Sequence, residues 1–291
     1  MSLELVFQQA LNGLSFGALL FILASGLSLV FGMMDVVNLA HGAFYMLGAY
    51  VALSVVQVTG SFWIAMLAAP LALALVGLVV EPLLLRRLRG RHLDQVLLTI
   101  GVSLVIVDVI GQVWGREVRS LSAPPGLDGS VGLIGGVYPA YRLFVIAFGV
   151  VLAAAMAVVY RRTRIGMLIR AGVEDAQMLG ALGIDTDRLF ASTFETGAAL
   201  AGLAGVIAAP VFGIQPGMDT DPGLLYSLVV VVVGGLGTLS GAVAGSLLIG
   251  PADTFGKVLF QDVALAVIFA IVALVLLLKP TGLLGRIRIA R

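Results

Sequence analysis

The chain of 291 residues has no cysteine, only two histidines and two tryptophans, and only 11% charged residues. Without cysteine there are no disulfides and no thiolate metal sites, although the compartment stays open. No His, Asp and Glu fall at metal-ligand spacing. No glycine-rich loop ending in Lys-Ser or Lys-Thr occurs, so ATP is not expected to bind this chain in that way. A net charge of +1 makes no case for nucleic acid. The first ten residues hold Glu4 but no Lys or Arg. That is not a signal-peptide n-region, so the first apolar segment is expected to be retained as a span. No catalytic set is assigned.

What the chain has in abundance is apolar sequence: 60% hydrophobic residues and a mean hydropathy of +1.12. A soluble domain could not cover so many apolar atoms with polar surface. Several stretches exceed the roughly 18 apolar residues of a spanning helix. The expected fold is an all-α polytopic membrane protein, a single membrane domain over 1–291 with about eight transmembrane helices. The spans are read at 8–32, 41–59, 62–85, 94–115, 142–160, 189–212 and 261–279, with 224–250 broken.

Basic residues set the expected orientation. Arg86, Arg87, Arg89 and Arg91 form one cluster, and Arg161, Arg162, Arg164, Arg170 and Arg188 a second. Lys279, Arg286, Arg288 and Arg291 form a third. Together they hold thirteen of the seventeen basic residues. Placing all three in the cytosol puts the C-terminus there and the N-terminus outside. Segment 224–250 must then start and finish outside. It reads as two apolar runs, Leu224–Val233 and Ala242–Ile249, around the break Gly234-Gly235-Leu236-Gly237-Thr238-Leu239-Ser240-Gly241. Each run is about half the length that crosses a ~30 Å hydrocarbon layer. Two re-entrant helices are expected to meet toward the cytosol, and a misplaced span is the competing explanation. Irregular backbone at that depth needs protein or a water-filled cavity around it. A second break is expected at 33–42, and Asn38-Leu39-Ala40-His41-Gly42-Ala43 beside Thr238-Leu239-Ser240-Gly241-Ala242 suggests an internal repeat. Candidate pathway or gate residues are therefore Asn38, His41, Gly42, Ala43, Gly235, Gly237, Thr238, Ser240 and Gly241.

Membrane helices associate through small residues. Gly197, Ala201, Gly205 and Ala209 make one stripe, while Gly13 with Gly17 and Gly241 with Gly245 make shorter ones. Each is either packing within the chain or a surface for a subunit or pathway. Ionisable residues in spans are functional suspects. Glu195 joins the pathway candidates. Glu81 either snorkels to the interface or serves function. Asp108 shares a face with Gln112, opposite Thr99 and Ser103, so no continuous ion relay runs along that helix. His41 reads as a packing histidine.

A charged island separates two apolar stretches and forms the loop 161–188, expected in the cytosol. Residues 173–182 pattern as a short amphipathic helix, with Met178, Leu179 and Leu182 against Glu174, Asp175 and Gln177. Gly172 and Gly183 flank it, and Asp185 or Thr186 caps the next span, with Asp187 favourable in its first turn. The loop is either a solvated connection or a docking element for a soluble partner.

Glu174-Asp175-Ala176 with Gly180 resembles the Glu-Ala-Ala-x3-Gly loop of bacterial ABC importer permeases. Arg170-Ala171, Glu174-Asp175 and Leu182 through Arg188 are similar to the branched-chain amino acid permeases of the LivH subfamily. So are Asp35 through Gly42 with Tyr45 through Tyr50, and Gly234 through Ala242. The likeness covers nearly the whole chain. Leu39, Ala43 and Val173 depart from it, and Ala43 adjoins the first break. The resemblance implies docking on an ATPase through Arg170, Glu174, Asp175, Ala176, Met178, Leu179, Gly180, Leu182 and Gly183. It implies a multi-pass protein of the bacterial inner membrane paired with a second, LivM-like permease. It also implies two LivG/LivF-like ATPase subunits that hold ATP and Mg, and a periplasmic solute-binding protein over the outer loop 116–141. That loop, with Pro124-Pro125-Gly126, Asp128-Gly129 and Gly135-Gly136, suits a small hairpin. No cofactor is expected on this chain itself, and lipid is its other partner. The alternative is an ion-coupled transporter or channel using Asp108 or Glu195 without an ATPase.

Overall fold

A computed structural model describes residues 3–133 and 136–285, so Gly135 of loop 116–141 and Arg286, Arg288 and Arg291 of the third basic cluster lie outside the described residues. The first helices are α1 (Leu3–Met34), α2 (His41–Thr59), α3 (Phe62–Val80) and α4 (His92–Val113). A hairpin of β1 (Ser130–Leu133) and β2 (Gly136–Pro139) leads into α5 (Ala140–Arg162), α6 (Arg164–Ala181) and α7 (Thr186–Phe212). After these come α8 (Leu225–Gly234), α9 (Leu239–Leu259) and α10 (Ala264–Leu278). The hairpin expected in loop 116–141 is present, antiparallel, with Ser130 opposite Pro139 and Leu133 opposite Gly136.

Six of these helices are long and apolar enough to cross a membrane among the described residues. The pair α8–α9 makes a seventh crossing if counted as one span, and it bends by 114° at its break. Two lengths differ from the sequence reading. The second arm of the broken segment does not stop at Ile249: α9 runs 21 residues, straight past Pro251 to Leu259. Membrane helices tolerate proline in general, because neighbouring helices and side chains can satisfy the carbonyl it frees. The last span is shorter than expected. α10 has 15 residues, about 22 Å at 1.5 Å per residue, so it falls short of a full crossing by itself.

α1 is the spine of the molecule, with α5, α7, α8 and α9 packed around it. The small-residue stripes serve this packing. A Cβ on Gly17 would lie 2.8 Å from the Ser246 carbonyl oxygen of α9, and one on Gly245 would lie 2.3 Å from that of Val230 in α8. The α7 stripe faces α1 at Gly197 and α2 at Gly205. All of these contacts lie within the chain. Large side chains such as Leu67 and Leu71 of α3, Leu104 of α4, Val150 of α5 and Leu277 of α10 point outward. An apolar surface that extensive is suited to lipid tails or to another membrane subunit.

Candidate functional site

Three places carry polar chemistry: the α6 element, the two backbone breaks, and a cavity at the far end of the bundle. At the first, Thr163 caps α6 by accepting a hydrogen bond from the Gly166 N–H at 3.2 Å. The helix runs from Arg164, well before the expected 173–182, and it bends inside the motif at Asp175, whose φ is −157° and ψ 93°. The cause is local. The Asp175 carboxylate accepts the Met178 N–H at 2.8 Å, so it restarts the helix as an N-cap instead of continuing it. The end is a Schellman turn: Ile184 N–H donates to the Leu179 carbonyl and Gly183 N–H to that of Gly180. Gly183 has φ +82°, which favours glycine.

The apolar side of α6 is split. Leu179 is buried with Met33 at the end of α1 and Leu189 at the start of α7. Met178 and Leu182, expected on the same side, are exposed, as are Ile165 and Met167. Gly172 lies so close to Met33 that a Cβ would fall 2.5 Å from its Cε. The Arg170 guanidinium sits 5.3 Å from the Tyr160 ring, and its Nη1 is buried with no hydrogen-bond partner. The element is thus clamped to α1 and α7 on one side and open on the other, where Glu174, Asp175, Gly180 and Gly183 are exposed and Ala176 is half-buried.

Next to α6 lies an ion network. Asp185 caps α7 through the Arg188 N–H at 3.0 Å, as expected. Asp187, in the first turn of α7, pairs with Arg86 and Arg89 from the turns after α3, and Arg89 also pairs with Glu81. Arg89 further lies 4.3 Å from the centre of the Phe190 ring. Glu81 is fully buried in a wide π-helical turn, Glu81–Leu85, so it does not snorkel.

Both breaks rest on α1. His41 is fully buried, with Nε2 2.9 Å from the Leu23 carbonyl oxygen and Nδ1 unpartnered. α2 therefore begins beside the middle of α1, and the chain folds back into the bundle after Met34. Asn38 shapes that return by accepting the Ala40 N–H at 3.1 Å, and Leu39 N–H reaches Thr99 of α4 at 3.2 Å. Ala43 is fully buried and Gly42 packs against the Asp219 backbone. At the second break Thr238 caps α9 through the Gly241 N–H at 3.1 Å, and its carbonyl accepts the Ser28 hydroxyl at 3.1 Å. Gly237 lies on Gly32 of α1, and Ser240 is exposed. At Gly235 (φ +116°) a Cβ would meet Gly285 N at 2.4 Å. The open carbonyls of Val233 and Gly234 at the end of α8 accept the N–H groups of Leu283 and Leu284, each at 2.8 Å. Glu195 is not with either break: half-buried on α7, it faces Gly77 of α3. Asp108 bonds Gln112 at 2.6 Å, the shared face read from the sequence. No cluster of three or more His, Asp and Glu suited to a metal exists among the described residues.

The cavity was missed in the sequence. It has a volume of about 230 Å³ and lies where α1, α5, α7 and α9 come together at the end away from α6. Asp253 is buried there, accepting the Tyr226 hydroxyl and the Lys257 ammonium, each at 2.7 Å. Asn12 accepts from both Arg142 and, at 3.1 Å, Tyr138 of the hairpin. Burial pushes the Tyr138 hydroxyl above its usual range, against the pull of Arg142, so it stays a donor. Asp253 and Lys257 sit at i, i+4, a signal available in the sequence had the helix not been ended at Ile249.

Residues 9–278 match the family described as branched-chain amino acid transport system / permease component. The chain is similar to the high-affinity branched-chain amino acid transport system permease protein BraD of Pseudomonas aeruginosa, at 33% identity over 96% of this chain and 95% of that protein. It is similar to LivH of Escherichia coli at 31% identity, with 96% and 95% covered. It is also similar to LivM of Escherichia coli at 27% identity, over 92% of this chain and 68% of that one. No solved structure matches. The chain therefore belongs to the permease-component family of branched-chain amino acid transport systems, as a multi-pass membrane transport subunit and not an enzyme.

Proposed function

We propose that this chain is one of two permeases of a bacterial inner-membrane ABC importer for branched-chain or related amino acids. Its partners are a LivM-like permease, two ATPases that hold ATP and Mg, and a periplasmic binding protein seated over the hairpin and loop 116–141. The basic ends of the helices, with α6, face the cytosol, and the N-terminal end of α1 faces the periplasm. The observation that carries the reading is α6. Its inner side is clamped on Met33 and Leu189, while its outer side exposes Met178 and Leu182 beside the Asp175 bend. A partner that grips the open side moves α1 and α7 through the clamp, and both backbone breaks abut α1. Asn38, His41, Gly42, Ala43, Gly235, Gly237, Thr238, Ser240 and Gly241 are the segments that such motion would open, and Glu195 is a further candidate on α7.

Two experiments test this. A tagged chain expressed with its neighbours should bring ATPase out of the membrane, and uptake should stop when ATP is withdrawn. Glu174→Lys should abolish uptake and weaken ATPase retention while the chain still inserts. Uptake at the wild-type rate by that variant refutes the docking role.

A further inference from the structure

The cavity between α1, α5, α7 and α9 is explained by neither docking nor the breaks. We propose that it is a holding site for a small apolar amino acid, with Arg142 taking the carboxylate. This deepens the transport reading and rests on it.

The charges decide the ligand. Lys257 and Arg142 bring two positive charges to the cavity wall, and Asp253 brings one negative charge. Lys257 is paired with Asp253 at 2.7 Å. Arg142 has no carboxylate within ion-pairing reach among the described residues, and its bonded partner is the neutral oxygen of Asn12. A half-buried guanidinium with spare donors in a fork matches a carboxylate in two parallel hydrogen bonds. Asp253 and Gln9 line the same cavity, and Gln9 Oε1, which accepts the Asn12 amide at 3.3 Å, keeps a second lone pair for the ammonium group. Phe16, Leu19, Val211 and Phe212 form the apolar wall that an uncharged side chain needs. The volume of about 230 Å³ lies below the roughly 300–1,000 Å³ of sites for drug-sized ligands, which suits a single amino acid. Through Asn12 and Tyr138 the site is tied to the hairpin, so a protein seated on that hairpin touches the wall of the cavity.

The test uses the whole importer, purified with its ATPases, and radiolabelled L-leucine without the soluble binding protein. Saturable binding is expected. Arg142→Gln should raise the Kd about tenfold or more, the loss of a hydrogen bond to a charged group. Arg142→Lys should recover part of it. Val258→Trp, at a half-exposed rim position, should block binding by filling the cavity. Leucinamide, which lacks the carboxylate, should compete poorly. Co-elution of the ATPases shows that each variant is assembled. No saturable binding by the wild type, unchanged binding in both Arg142→Gln and Val258→Trp, or equal competition by leucinamide overturns the site. So does an Arg142 effect that vanishes in phosphatidylcholine alone, because that assigns the arginine to an anionic headgroup. Failure of the transport reading looks different: the wild type would elute without ATPase or take up leucine without ATP.

Discussion

Removing Arg89 should damage the protein far more than removing its partner Glu81. The Glu81 side chain is 1% exposed and that of Arg89 is 23% exposed. Arg89→Leu strands a carboxylate that has no route to water, and it also removes the contact with Phe190. Breaking a buried pair from one side costs about 3–5 kcal/mol. The lower end applies here, because one Glu81 oxygen and the Arg89 Nε are already buried without partners, so the native pair is incompletely compensated. Glu81→Leu leaves Arg89 partly solvated and still bound to Asp187, so about 1 kcal/mol is expected after allowing for that exposure. The difference of about 2 kcal/mol is roughly a thirtyfold change in the folding equilibrium. The double variant should be milder than Arg89→Leu alone, because nothing charged is left buried. The assay is unfolding of the purified chain by SDS in mixed micelles, followed by loss of helical circular dichroism, for both single variants and the double. A strictly additive double variant, or Arg89→Leu no worse than Glu81→Leu, would refute the reasoning.

Other outcomes follow from single positions. Gly42→Ala places a Cβ 1.9 Å from the Asp219 carbonyl oxygen, so backbone must shift at a cost of about 1–3 kcal/mol, seen as lost monodispersity in size exclusion. Gly101→Ala meets no heavy atom within 4 Å and should be neutral or stabilising by up to about 1 kcal/mol; equal behaviour of the two would refute the close approach. Asp175→Ala removes the cap on the Met178 N–H, about 1 kcal/mol, and should speed amide exchange over 176–181. Unchanged exchange there would mean that the carboxylate does not hold the bend.

Most of the architecture was legible because apolar length and glycine placement act locally. The spans, the hairpin, the break before α9 and the Asp185 cap all follow from residues near one another in sequence. The errors share a cause. The second arm of the broken segment was read as stopping at Ile249, but a packed membrane helix runs on through Pro251, and ending it early hid Asp253 and Lys257. Asp175 was read as one face of a helix when its side chain competes for the backbone and bends it. Arg86 and Asp187 meet across about a hundred positions, and no periodicity records such a pair. Arg142 stood alone in the sequence, and only the approach of α1 to α5 gives it Asn12 and a cavity.

The end of α8 adds a constraint in time. Its last carbonyls find their donors at Leu283 and Leu284, beyond two further helices. While the chain is being made, α8 can enter the bundle long before those donors exist. Until the segment after α10 is in place, α8 holds unpaired carbonyls against a growing apolar core. A ribosome that stalls after α9 therefore leaves a chain with every long span made but the carbonyls of Val233 and Gly234 still without the donors of Leu283 and Leu284.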